Sequence, residues 1–170
     1  MKPKLVQAMF LSAAHGTINR NLPRIVQSLR LLDQKEIWWR PNAASNSAGN
    51  LVLHLCGNIR QWIISGLGGA PDFRVRDREF SERGPVSRRV LIHRLENTVR
   101  EALRIQRRLT PEALAREYTI QGFHVTGLDA VFHVAEHFSY HTGQIIYITK
   151  LKRARNLRFT RLPEGGKKNK

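Results

Sequence analysis

The sequence predicts an all-α protein: a four-helix bundle with long loops between its helices. Apolar residues recur at spacings of three and four in four separate segments, and little of the chain alternates with the two-residue period of a strand. Each segment is long enough to cross a domain, and four such helices bury their apolar stripes best against one another. With 170 residues, 41% hydrophobic and 25% charged, the chain has the size of one domain with a real core.

The first helix is expected from about Lys4 to Asp33, with Ile18, Leu22, Ile25, Leu29 and Leu32 on its inner face. Pro23 removes a backbone donor inside it, so the pattern predicts a kink or two shorter helices. The stretch WWRPNAASNSAGN breaks the periodicity. A second helix then runs from near Ser47 to about Ser65, placing Leu51, His54, Leu55, Asn58 and Trp62 on one face, until GLGGAPD ends it. The segment FRVRDREFSERG reads as a polar loop. The third helix opens with Pro85 and continues to about Leu109 through Leu91, Leu95, Thr98, Ala102 and Ile105. Its other faces carry Arg88, Arg89, Arg94, Arg100, Arg104, Arg107 and Arg108. A short helical turn after Pro111 and an extended segment or hairpin around Gly122 follow. Thr126 and Asp129 resemble a capping box, so the last helix is expected from Gly127 to about Lys152. The bundle thus spans residues 1–152, and residues 153–170 form a basic C-terminal tail.

Lysine plus arginine outnumber aspartate plus glutamate by 29 to 13, a formal charge of +16. Such a field attracts nucleic acid, anionic membrane surfaces and acidic small molecules without defining a site for any of them. No apolar stretch reaches the roughly 20 residues that span a bilayer, so no membrane partner is expected. The single cysteine, Cys56, rules out an internal disulfide framework and a thiolate-rich zinc site. A reducing, cytoplasmic setting suits it, with Cys56 as a buried thiol.

Function depends on the histidines. In HFSYH, His137 and His141 lie about 40° apart on a helix and one turn along it, so each can aim one nitrogen at a common centre. His54, on the inner face of another helix, is the natural third ligand. Three protein ligands leave a position open for exchange, the arrangement of a catalytic metal rather than a structural one. His133 has the same spacing to His137, however, and spacing alone does not choose between the two pairs. The competing account is that all these side chains satisfy core hydrogen bonds. The metalloprotease pattern HExxH, the inward Glu and ExxH set of di-iron bundles, nucleophile elbows and phosphate-binding glycine loops are missing.

EIWWRPN at the end of the first helix, NSAGNLVLHL, and HVAEHFSYHTGQI in the last helix together resemble the DinB/YfiT-like family of metal-binding four-helix bundles. The resemblance covers the chain to about Lys152 and implies an up-down-down-up topology. It also implies that a divalent metal is held by His54, His137 and His141, which leaves His133 as a neighbour. Tyr140 and Gln144 join His133 as expected pocket-lining residues.

The function this implies is a metal-dependent enzyme, either a thiol-dependent S-transferase or a hydrolase. It would use zinc, nickel or iron, a small-molecule substrate and, in the first case, a low-molecular-weight thiol. Arg40 and Arg76 are candidates to hold a substrate carboxylate, and exposed helix faces are candidates for a homodimer contact. The alternatives are a nucleic-acid-binding module built on the arginines of the third helix and the tail, and a bundle that holds metal without catalysis.

Overall fold

The computed structural model describes residues 2–84 and 86–159. Pro85, expected to open the third helix, and most of the basic tail lie outside the described residues. Four long helices form the bundle: α1 (Pro3–Leu31), α3 (Ala48–Ile59), α5 (Arg88–Gln106) and α7 (Gly127–Arg153). Short helices α2 (Gln34–Ile37), α4 (Arg76–Ser81) and α6 (Pro111–Ala115) lie in the connections. A hairpin of β1 (Glu117–Ile120) and β2 (Phe123–Thr126) precedes α7.

Contacts between the helices give the topology. Asn21 donates to Ser139 Oγ, and ten residues further along α1 the Leu31 carbonyl accepts from Arg153 Nε, so α1 and α7 run parallel. Asn58 lies against His133 and His54 against His137 and His141, so α3 and α7 are antiparallel. The Arg30 carbonyl accepts from Arg88, and Gln7 donates to the Leu109 carbonyl, which makes α1 and α5 antiparallel too. These relations make the bundle up-down-down-up.

α1 passes through Pro23 as one continuous helix, not as two. Both Pro23 and Asn19, whose carbonyl loses its partner, are exposed, so water satisfies that carbonyl, while Ile18, Ile25 and Leu29 remain buried on the opposite side. The helix ends two residues earlier than expected. Leu32 is extended, and Asp33 caps the separate turn α2 in a capping box with Glu36. EIWWRPN therefore belongs to α2 and the loop after it rather than to the first helix.

Ser47 and Asn50 form the capping box that starts α3. Nearly every residue of α3 is buried, and its continuation, Arg60–Leu67, widens into a π-helix. The third helix begins at Arg88 with Ser87 as its cap, three residues later than Pro85. Its outer arginines 88, 89, 94, 100, 104, 107 and 108 are all exposed. The extended segment around Gly122 is an antiparallel hairpin. Its two-residue turn places Gln121 and Gly122 at φ of 55° and 83°, the geometry that matches the twist of paired strands. The expected Thr126–Asp129 box caps α7. In the first part of the tail, Leu157 is buried.

Candidate metal centre

His54 on α3 and His137 and His141 on α7 come together through the antiparallel packing of these two helices. The ring nitrogens of the three lie within 4.8 Å of one another. His137 Nε2 is 2.9 Å from His54 Nε2 and 3.1 Å from His141 Nε2. Imidazole nitrogens bound at about 2.0–2.1 Å to one ion sit roughly 3 Å apart, so the three side chains can hold a metal ion as they stand.

The outward nitrogens fix the tautomers. His54 Nδ1 lies 2.9 Å from Glu79 Oε2, and His141 Nδ1 lies 2.7 Å from Gln144 Oε1. Both acceptors require a proton on Nδ1 and leave the lone pair on Nε2, the nitrogen that faces the centre. Arg74 holds Glu79 through Nε at 2.8 Å and Nη2 at 2.9 Å, a two-pronged pair whose side chains are nearly inaccessible. Arg74 Nη1 also donates to Gln61.

α4 brings Glu79 to this place. Asn50 Nδ2 donates to the carbonyls of Glu79 at 2.8 Å and Glu82 at 2.9 Å, and Arg40 donates to Asn50 Oδ1 and the Phe80 carbonyl. Gly57 is obligatory beneath it, because a Cβ there would lie 1.8 Å from Glu79 Oε1. α4 and its Glu79 were missed as a polar loop. The only trace in the sequence is a pair of charges, Arg74 and Glu79, five residues apart.

The remaining candidates fall around this centre. His133 Nε2 is 3.0 Å from Asn58 Nδ2, and its ring lies 4.1 Å from that of Trp62 and 5.2 Å from that of His137. Exposed Tyr140 packs against His141 at 5.0 Å. Tyr140 and Gln144 line a groove of about 570 Å³ together with Ser45, Asn46 and Tyr147, and no histidine lines it. Arg40 is occupied as a clamp on Asn50, and exposed Arg76 stacks 4.9 Å over the Phe80 ring.

Burial disfavours the charged forms of His137, His141 and His133. His137 is pushed down to about 3 by desolvation and by His141, His54, His133 and Arg74 around it, and desolvation also lowers His141 and His133. Glu79, despite a burial that alone would raise it, is kept below the usual carboxylate range by Arg74 and His54. In the metal-free protein His137 thus stays neutral when folded and takes a proton near 6.5 when unfolded. The unfolded chain binds more protons between those values, so stability is full above about pH 6.5 and falls as the pH drops through that window. Urea denaturation at about pH 7.5 and about pH 5.5 should show this drop, and a smaller one in His137→Gln. Equal drops would exclude His137 as its source.

The fold is an up-down-down-up four-helix bundle with a three-histidine cluster between α3 and α7. Three solved structures share the fold. A conserved protein from Enterococcus faecalis superposes with a TM-score of 0.73 at 15% identity, covering 85% of this chain and 97% of its own. A DinB-like protein from Bacillus subtilis, YjoA, gives 0.64 at 17%, covering 85% and 94%. A DinB-like protein from Bacillus cereus gives 0.61 at 15%, covering 79% and 87%. The chain belongs to the family described as protein of unknown function (DUF1572), whose profile matches residues 6–166. No curated protein matches the sequence.

Proposed function

We propose that this chain is a divalent-metal protein that uses His54, His137 and His141 as its ligands and acts as a metal-dependent S-transferase or hydrolase on a small molecule. The observation that carries this reading is the convergence of three Nε2 atoms at 2.9 and 3.1 Å while Glu79 and Gln144 hold the opposite nitrogens. Three neutral imidazoles suit zinc, nickel or iron and leave coordination positions open. A divalent ion in such a site lowers the pKa of a coordinated water or thiol toward neutrality. The protein's own thiol is a poor nucleophile here. Burial pushes Cys56 up to about 12, so an S-transfer needs a thiol supplied by a small molecule. Tyr140 and Gln144 place a groove with apolar and amide walls beside His141, where such a molecule can lie.

The test is metal content by mass spectrometry on tag-free protein. Near-stoichiometric metal should be retained by the wild type and by His133→Ala and lost in His54→Ala and His137→Ala. No metal after incubation with zinc, nickel or iron would overturn the reading, and retention in His137→Ala would overturn the ligand set. A second reading rests on exposed Arg89, Arg100 and Arg104 of α5 and on exposed Arg107 and Arg108 in the turn that follows it. Among the described residues these side chains form no ion pair. They suit a nucleic-acid phosphate backbone, with binding that falls steeply as salt is added and survives His54→Ala.

A further inference from the structure

We propose that a cavity between α3, α4 and α5, bordered by Glu79 and lined by no histidine, is a second ligand site for an organic oxyanion, a carboxylate or phosphate on an apolar body. The cavity has a volume of about 510 Å³ and shares none of its lining with the groove beside Tyr140. Four arginines, Arg60, Arg74, Arg78 and Arg94, are among its lining residues against only two acidic ones, Glu79 and Glu82. Both carboxylates are already engaged. Glu79 accepts from Arg74 and His54, and Glu82 Oε1 accepts from the backbone N–H groups of Arg83 and Gly84.

Arg74 is committed in turn to Glu79 and Gln61. Arg60 has only a long contact of 3.9 Å with Glu101, with both side chains about half exposed, and such a contact is worth little. Arg78 and Arg94 form no ion pair among the described residues. Positive charge at this cavity is therefore left without a partner, and the guanidinium fork matches a carboxylate or phosphate. The walls supply the apolar half of the recognition. Leu53 and Cys56 are buried beneath, while Phe73 is 80% exposed and Val75 51% exposed at the margin. Single exposed apolar residues are ordinary. Two beside a cationic cavity match a ligand with an acidic head and an apolar body.

Calorimetric titration of the full-length protein with phenyl phosphate, benzoate and benzyl alcohol tests this. At least one of the two oxyanions should bind saturably at one site, and the tighter one identifies the preferred head group, while the neutral alcohol should not bind. Arg78→Gln/Arg94→Gln should weaken binding at least about tenfold, the scale of one lost charge-assisted hydrogen bond. Arg104→Gln/Arg107→Gln removes the same charge from exposed positions at the C-terminal end of α5 and just beyond it, outside the cavity, and should leave binding within about twofold. Saturable binding by neither oxyanion, equal binding of the alcohol, or equal weakening by the two double variants would overturn the site. The last result would reduce it to the general positive field of the protein.

Discussion

Glu79→Ala is expected to destabilise the protein by about 3–5 kcal/mol and to weaken divalent-metal binding by about 10–100-fold. The two effects have different origins. The Arg74 side chain is 4% exposed and Glu79 is its only carboxylate partner among the described residues, so truncation leaves a buried guanidinium charge without compensation. The metal effect comes from His54, whose Nδ1 loses the acceptor that fixes its tautomer and aims Nε2 at the centre. The double variant Arg74→Met/Glu79→Leu separates them. Removing both charges together should recover most of the loss, because apolar side chains of similar volume replace a desolvated pair, and should fall short of the wild type by about 1–3 kcal/mol for the buried His54 Nδ1–H left without its acceptor. Metal affinity should stay low, since His54 still lacks its acceptor. Urea denaturation and metal titration of the three proteins read the two effects independently. Wild-type affinity in the double variant would mean that Glu79 serves the fold alone.

What was legible in the sequence follows the range of the interactions involved. Helix geometry brings residues four apart to one face, which marked both the His133–His137 and the His137–His141 pairs; the family resemblance, not spacing, singled out the second, and His54 stood out as an isolated polar side chain on an apolar helix face. The capping box at Thr126 is local as well, and α7 begins where it predicts, while α3 begins next to the expected Ser47. At Pro23 the split into two helices does not occur, for the opposite reason. The local signal allows a kink or a break, and no break occurs, because the lost hydrogen bond lies on the exposed side while the buried side of α1 packs along α7 and α5. α4 was the most consequential omission. It is six residues long, lacks a side-chain N-cap and is mostly charged, so neither periodicity nor propensity marks it. Its place is set by bonds from Asn50, some thirty residues earlier in the chain. The acceptor that orients His54 was hidden because it depends on tertiary contacts.

Saturation with a divalent ion should raise the stability of the wild-type protein by about 4 kcal/mol when free ion is a thousand times its Kd. For a domain of this length that is a rise in Tm of roughly 8–16 °C. The size follows from the ion's binding to the folded cluster alone, but the metal-free cluster carries a cost of its own. His54 and His141 both keep their protons on Nδ1, so their Nε2 lone pairs point inward, and His137 Nε2, within 3.1 Å of each, can donate a proton to only one of them. The other lone pair is desolvated against nitrogen, a penalty of about 1–3 kcal/mol for an unsatisfied buried polar group. His137→Leu removes that one donor and leaves both Nε2 lone pairs desolvated, so the metal-free variant should lie below the metal-free wild type by about 1–3 kcal/mol and should gain nothing from added ion. An equal rise in Tm for His137→Leu would place the stabilising ion elsewhere. A metal-free His137→Leu protein level with the wild type would mean that the His137 donor contributes nothing to the fold. The missing gain on added ion, rather than the metal-free ordering, is what separates a cluster kept for a ligand from one kept for the core.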